Sequence, residues 1–292
     1  MVFNDKRLSA FTTLRIGGAA SALFEARGPD SVMAATRRAS SLGLPWRVLG
    51  EGSNVLASDE GVSSAVIIFR DDDAPQVHPD GLVRVSGGFP LSLLVSFLCG
   101  RGFGGFESLA GIPGTVGGAI AGNAGAYGRC VGERLRKATL LSQDGLVREV
   151  TAEEMGFSYR HSRLKESHEA VLEALFETEP CDAAPLMRIM QEKLADRAGK
   201  HPDYTQVPTA GSWFKNVRRD DGSMVAAGKL LEEAGCLGLK VGGALLWHKH
   251  ANIVVTDGAA TARDILSLTG EMAARVRERF GIELSPEVCW LR

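Results

Sequence analysis

Cysteine is scarce in this chain, with five in 292 residues, at positions 99, 130, 181, 236 and 289. An odd count without a C-x-x-C pair excludes a disulfide framework and a thiolate zinc site. The thiols are expected mostly as small buried apolar residues. Basic runs are also missing. The 33 Lys and Arg against 35 Asp and Glu leave a formal charge of −2, so neither nucleic acid nor an anionic membrane surface is expected as a partner. Long apolar runs are absent as well. Leu91–Cys99 reaches only about half the length that spans a bilayer, and the opening MVFNDKRLSAFTTLRIGG has no apolar core behind its basic residues. These absences point to a cytoplasmic location. Nothing in the sequence sets an oligomeric state, and the chain is taken as a monomer.

Glycine is abundant instead. There are 35, where about 7% of residues is ordinary, and many fall between Gly87 and Gly128. The remaining pattern alternates strands and helices. Asp30 and Ser31 can cap a helix that runs to Leu42 and ends on Gly43. Trp46–Leu49 reads as a short strand and Ala65–Phe69 as a buried one. The segment 71–81, DDDAPQVHPDG, is a break made of turn residues and charge. Beyond it, Leu82–Val85 reads as a strand and Pro90 opens a helix through Leu98. Asp144-Gly145 marks a hairpin between Ala138–Leu141 and Val147–Val150. Val171–Phe176 supplies another strand, and 183–199 a connecting helix. The C-terminal region holds a helix at 223–234, a strand at Ala251–Thr256 and a helix capped by Thr261. In the last, Ile265, Leu268, Met272, Val276 and Phe280 form one stripe. The pattern predicts two α/β units (1–72 and 73–182) forming one cofactor module, then an α+β domain at 183–292.

Two glycine-rich stretches are candidate ligand loops. Gly50-Glu51-Gly52-Ser53-Asn54 follows a strand and is either a tight turn or a cradle whose N–H groups meet a phosphate. The longer one, Gly111-Ile112-Pro113-Gly114-Thr115-Val116-Gly117-Gly118, continues through Asn123, Gly125, Ala126 and Tyr127. It carries fewer charges than a plain surface loop would, which favours a wrapped ligand. Gly100–Gly105 matches G-x-G-x-x-G by letter. However, a helix precedes it and none follows, whereas the dinucleotide fingerprint needs strand, turn and helix in that order. A Rossmann reading is rejected.

Thr13-Leu14-Arg15-Ile16-Gly17-Gly18, the Gly50–Leu56 turn, Ala110–Gly128, Tyr159-Arg160-His161-Ser162, Gly211-Ser212-Trp213-Phe214-Lys215-Asn216 and Pro286-Glu287-Val288 occur in order. Together they resemble the UDP-N-acetylenolpyruvoylglucosamine reductases, from Thr12 to Val288. Each motif is modest alone; six in the family's order are specific. The resemblance implies an α+β fold: a two-subdomain FAD-binding module of the vanillyl-alcohol-oxidase (PCMH) type and a C-terminal substrate domain. It implies FAD as cofactor, NADPH as co-substrate and UDP-N-acetylglucosamine enolpyruvate as substrate, reduced to UDP-N-acetylmuramate for peptidoglycan. Gly50, Gly52, Ser53, Asn54, Gly111, Ile112, Pro113, Gly114, Thr115, Gly117, Gly118, Asn123, Gly125, Ala126 and Tyr127 become expected FAD contacts. The compact stretch from Arg160 to Lys200 resembles the branch lacking an extra, tyrosine-bearing loop.

The resemblance also assigns chemistry. Hydride can add to the enolpyruvyl terminal carbon only if charge growing on the carboxyl side is stabilised. Arg160 suits that task through two parallel hydrogen bonds. Glu287 would share it, given a proton or an intervening donor, and Ser212 would protonate the adjacent carbon. Lys200, Lys215, Asn216 and His250 are expected at the substrate. His248 and His250 alternate on a predicted strand, so at most one faces it, and two histidines without a third ligand make no metal site. Taken singly, Ser212 reads as a turn serine, Arg160 as a surface residue and Glu287 as a strand-end carboxylate. Val217, Leu246-Trp247 and Thr256 depart from the family's usual residues without removing a reacting group. The rival readings are an alcohol oxidase or dehydrogenase of the same fold and a non-catalytic UDP-sugar-binding module.

Overall fold

The computed structural model describes residues 2–3, 6–78, 80–219 and 221–292. Contacts divide the chain into two compact units. The first comprises residues 1–4, 21–51 and 63–197, and the second 5–20, 52–62 and 198–292. This division differs from the expected breaks after 72 and 182: two early segments group with the C-terminal part, and the connecting helix groups mainly with the first unit.

The first unit contains a four-stranded and a five-stranded sheet, with two small two-stranded ones among the described residues. Strand β1 (Ala20–Arg27), helix α1 (Gly28–Ser41), β2 (Trp46–Leu49) and β3 (Val62–Arg70) form its N-terminal part. The sheet order is Val2–Phe3, β1, β3, β2, and β2 runs parallel to β3. β3 is buried at six consecutive positions, Ser64 to Phe69, which is why its sequence shows an apolar run and not alternation. Gly43 follows α1 with φ +69°, the left-handed conformation that stops a helix. The segment 71–81 contributes a two-residue strand, Gln76–Val77, with position 79 outside the described residues.

The second sheet is antiparallel, built from β4 (Leu82–Ser86), β5 (Leu135–Leu141), β6 (Val147–Thr151) and β7 (Ala170–Glu177). Its order is β6-β5-β7-β4 and then Gln76–Val77. Helices α2 (Leu91–Gly100) and α3 (Val116–Gly122) contribute to the core on this sheet, through Leu91, Leu94, Leu98, Val116 and Ile120. Helix α3 is an element that composition hides. Glycine costs about 1 kcal/mol per helical position, and Val116-Gly117-Gly118-Ala119-Ile120-Ala121-Gly122 contains three. Burial of Val116, Ala119 and Ile120 offsets that cost, and Thr115 caps the helix by accepting from the Gly118 N–H at 3.3 Å. Gly100–Gly105 lies after α2 and ends in a short strand, Phe103–Gly104, so the order needed for a dinucleotide fold is absent. Helix α4 (Ala183–Lys200) begins in the first unit.

The second unit is built on a four-stranded antiparallel sheet of β8 (Thr209–Ser212), β10 (His250–Thr256), β9 (Ala244–Trp247) and Lys240–Val241, in that order. Helices α5 (Ala227–Glu233) and α6 (Ala262–Phe280) share its core with Trp213, Phe214 and Val254. Leu14, Ile16 and Leu56 join that core from the N-terminal segments. Cys289–Leu291 pairs in parallel with Val55–Ala57, which ties the chain's end to the early segment. Cys99 and Cys236 are buried, whereas Cys181 and Cys289 are exposed and Cys130 is intermediate. The expectation of mostly buried thiols is therefore corrected: those three stand at loops and strand ends. No helix among the described residues is long and apolar enough to cross a membrane.

The N-terminus of α6 is closed from both sides. Thr261 Oγ1 accepts from the Asp264 N–H at 3.1 Å, and Asp264 accepts from the Thr261 N–H at 2.9 Å. Asp59, brought in by the early segment, accepts from the Ala262 N–H at 2.8 Å. Loss of such a cap costs about 1 kcal/mol. Thr261→Ala should therefore lower the melting temperature by about 2–4 °C; an unchanged melting curve contradicts the cap.

Candidate active site

The first unit gathers the glycine-rich loop. The chain before α3 runs against the start of α2: Leu91 N–H donates to Gly114 O at 2.9 Å, Val116 N–H to Phe89 O at 2.9 Å and Gly117 N–H to Gly87 O at 2.8 Å. Glu51 Oε2 accepts from the Gly114 N–H at 2.9 Å, which ties the Gly50-Glu51 turn to this loop. A Cβ on Gly50 would collide with Thr115 Oγ1. One on Gly117 would stand 3.0 Å from Gly87 O, and one on Gly125 2.5 Å from Arg129 O. At these positions the missing side chain admits the protein's own groups, a different reason for glycine than room for a ligand. Gly118 is looser, its nearest neighbour being Thr115 Oγ1 at 3.6 Å.

Arg160 stands in the same unit on a tight turn. Ser158 and His161 exchange backbone hydrogen bonds of 3.1 and 3.2 Å, and Arg160 takes φ +55° between them. Two clamps fix this turn beside α3. Asn123 Nδ2 donates to Ser158 O at 2.9 Å, and Ser162 Oγ donates to Ala121 O at 2.8 Å. Asn123, an expected FAD contact, is buried, and its Oδ1 accepts from the Gly132 N–H at 3.1 Å. Tyr127 donates its hydroxyl to Asp196 at 2.8 Å, and its ring lies 4.2 Å from Lys193 Nζ.

The second unit brings Ser212 and Glu287 together. β8 carries a bulge between Thr209 and Ser212 against β10. Gly211 occupies it at φ +76° with open space around its Cα. Such a bulge re-aims the following side chain, here Ser212. The next residue, Trp213, accepts at its carbonyl from the Glu287 N–H at 2.7 Å, and Lys215 N–H donates to Ser285 O at 2.9 Å. Thus Ser212 and Glu287 lie on neighbouring extended segments. Asn54 holds the second of these, donating from Nδ2 to Glu287 O at 3.2 Å and accepting from the Cys289 N–H at 3.0 Å. In the same early segment, Gly52 has φ +64°, and a Cβ there would strike Phe11 O.

One residue outside the expected set organises these strands. Asn252 is fully buried; its Oδ1 accepts from the Phe214 N–H at 2.9 Å and its Nδ2 donates to Phe214 O at 2.8 Å. Its own carbonyl accepts from the Trp213 N–H at 2.7 Å. The carboxamide thus imitates a missing strand neighbour. Asn216, expected at the substrate, turns its Oδ1 to the Ala227 N–H at 3.1 Å and caps α5.

The histidine expectation changes form. β9 ends at Trp247 and β10 begins at His250, with Trp247 paired to His250. His248 and Lys249 are therefore the hairpin turn, and strand alternation does not apply to them. His248 packs on Trp247, ring centroids 4.3 Å apart, while Trp247 Nε1 donates to Lys200 O at 3.1 Å. His250 Nδ1 accepts from the Asn252 N–H at 3.1 Å, so the neutral ring carries its proton on Nε2 as a donor. His201 lies 6.0 Å away, ring to ring.

The comparisons with known proteins decide the family. Residues 20–151 match the FAD binding domain profile, and residues 201–291 match that of the UDP-N-acetylenolpyruvoylglucosamine reductase C-terminal domain. A curated relative from Symbiobacterium thermophilum, named UDP-N-acetylenolpyruvoylglucosamine reductase 2, is 38% identical across 96% of this chain and 89% of its own. Another from Heliobacterium modesticaldum is 39% identical across 96% and 88%. The chain belongs to the UDP-N-acetylenolpyruvoylglucosamine reductase family. The crystal structure of the Thermus caldophilus reductase superposes with a TM-score of 0.80 at 32% identity, covering 98% of both chains. The protein is therefore an FAD-dependent oxidoreductase of peptidoglycan synthesis, with an α+β fold that carries an FAD-binding domain.

The cradle suits that cofactor. Among the described residues, the N–H groups of Gly50, Glu51, Gly111 and Thr115 donate to no protein acceptor. Unspent backbone donors in a glycine-rich loop form a concavity for phosphate oxygens. Between Arg160 and Lys200 the described elements are the short helix Leu164–Ser167, β7, the strand Glu179–Pro180 and α4.

Two outcomes follow for the second unit. Asn252→Ala strips both Phe214 backbone groups of their partners, each worth about 1–3 kcal/mol when buried. The variant should unfold at a clearly lower denaturant concentration and lose turnover; wild-type stability would show that the clamp is dispensable. Burial holds the His250 pKa below its ordinary value of 6.5, and the weaker backbone and Glu232 contributions oppose this. A depressed imidazole binds fewer protons in the folded than in the unfolded chain, so stability is full above about 6.5 and falls as pH drops below it. His250→Gln should flatten that acid slope in urea titrations, and an unchanged slope contradicts the assignment.

Proposed function

We propose that this protein reduces the enolpyruvyl ether of UDP-N-acetylglucosamine enolpyruvate to UDP-N-acetylmuramate, with NADPH as electron source and in the cytoplasm. The reading is supported by Ser212 and Glu287 standing on adjoining segments of the second unit, joined by the 2.7 Å bond from Glu287 N–H to Trp213 O, in a chain of this family that also carries Arg160. The first unit holds FAD, through Gly50 and the Gly111–Tyr127 stretch. The second unit takes the sugar nucleotide, with Lys200, Lys215, Asn216 and His250 on its phosphates and base. FAD supplies the hydride that reaches the terminal enolpyruvyl carbon.

The residues then handle charge and proton. Arg160 pairs with the substrate carboxylate and lowers the cost of charge spreading into it. Glu287 shares that carboxylate through a proton. Ser212 Oγ gives its proton to the carbon bearing the ether oxygen. A serine hydroxyl is a weak acid in water, but a carbanion-like centre is more basic still, so the transfer runs downhill.

Ser212→Ala should leave flavin reduction by NADPH near the wild-type rate. It should slow reoxidation by the enolpyruvyl substrate by about 10²- to 10⁴-fold, the usual worth of a positioned general acid. Stopped-flow absorbance separates the two half-reactions. A variant with both intact removes Ser212 from the reaction. An oxidase would instead consume O2 without the enolpyruvyl substrate, and a binding module would leave the flavin spectrum unchanged by NADPH.

A further inference from the structure

Glu287 is held through its backbone from two sides, and one of the two ties comes from a side chain that the motif order assigns to the cofactor. Asn54 is that residue, and both belong to the second unit. Asn54 Nδ2 donates to Glu287 O at 3.2 Å, and the Asn54 carbonyl accepts from the Cys289 N–H at 3.0 Å. Cys289–Leu291 pairs in parallel with Val55–Ala57, Cys289 opposite Val55, and Ser58 N–H donates to Leu291 O at 2.9 Å. That pairing stops short of Glu287. An evenly spaced parallel ladder would take its next donor from the backbone N–H of residue 54. The Asn54 carboxamide stands in for that donor and adds one further rung, which reaches Glu287. On the opposite side, Glu287 N–H donates to Trp213 O at 2.7 Å, and Pro286 bridges to Phe214. Loss of Nδ2 removes the tie to the early segment and leaves the Trp213 bond in place.

We propose that Asn54 is a positioning residue for Glu287: its carboxamide fixes the backbone from which the carboxyl reaches the substrate, and its side chain is not the FAD contact that the motif order implies. The inference rests on the function proposed above. A carboxyl that shares a carboxylate through one proton has to stand within hydrogen-bond reach of it, and a misplacement of about 1 Å can cost about 10²-fold in rate. An asparagine that held FAD would act on cofactor retention instead. One that merely stabilised the fold would act whether or not residue 287 carries a carboxyl.

Asn54→Ala and Asn54→Asp holoenzymes separate these roles. Asn54→Asp keeps the size and turns an acceptor toward Glu287 O, so it carries the test should Asn54→Ala fail to fold. Either variant should retain wild-type FAD content and take electrons from NADPH near the wild-type rate. Reoxidation at saturating enolpyruvyl substrate should slow by about ten- to a hundredfold, with the dissociation constant changed far less. In a Glu287→Ala background the same substitutions should slow reoxidation no further, because a residue that acts through another has no separate effect once that other is gone. Loss of FAD on purification, unchanged reoxidation, or a full effect in the Glu287→Ala background overturns the proposal. If wild-type enzyme fails to reduce the enolpyruvyl substrate, the proposed function falls. The positioning is then judged by amide hydrogen exchange of the holoenzymes. Faster exchange at Glu287 and Cys289 in the variants supports it; equal exchange, or a gain shared by the amides of α6, overturns it.

Discussion

The carboxamide of Asn252 is the constraint on which the second unit's chemistry depends. It accepts from and donates to the backbone of Phe214 within 3 Å, replacing the strand neighbour that the β8 bulge takes away. Without it, the Phe214 amide and carbonyl would be buried and unsatisfied, a state that native proteins avoid. With it, the segment from Ser212 to Lys215 stays extended, so that Trp213 and Lys215 can bond the strand carrying Glu287. Ser212 and Glu287, the proton donor and carboxyl of the proposed reaction, therefore stand on segments set by backbone hydrogen bonds.

The first unit solves a different problem with the same kind of bond. A short, glycine-rich helix has little intrinsic tendency to form, yet α3 is fixed through Thr115 at its start and Asn123 at its end. Asn123 and Ser162 then fasten the Arg160 turn to it. Every glycine that crowds a neighbour here permits a backbone or side-chain approach, at Gly50, Gly117 and Gly125 alike. The N–H groups left over, at Gly50, Glu51, Gly111 and Thr115, are those without a protein acceptor.

Much of this was legible in the chain. The stripe of α6 with its Thr261 and Asp264 cap, the Asp144-Gly145 hairpin and the buried run of β3 follow from local rules, and all three stand in the structure. The exclusion of a dinucleotide fingerprint at Gly100–Gly105 also follows from local order. What local rules miss has tertiary causes. α3 exists because Val116, Ala119 and Ile120 find a core, which no propensity records. The hairpin turn at His248-Lys249 lacks the Gly or Asn that marks tight turns, so its strands read as one. The regrouping of 5–20 and 52–62 with the C-terminal unit depends on pairings such as Val55–Ala57 with Cys289–Leu291, more than two hundred positions apart in sequence. Asn252 acts through backbone atoms of Phe214, 38 positions away in sequence, so its type alone carries no signal of that partner.

The central claim is that a proton donor held rigidly on β8 completes the reduction. Single-turnover reoxidation of the reduced enzyme by UDP-N-acetylglucosamine enolpyruvate in D2O tests it most directly, with the product analysed by NMR. Reoxidation should slow in D2O, and one deuterium should enter at the carbon bearing the ether oxygen in a single configuration. Deuterium in both configurations at that carbon would mean that solvent, and no positioned group, delivers the proton.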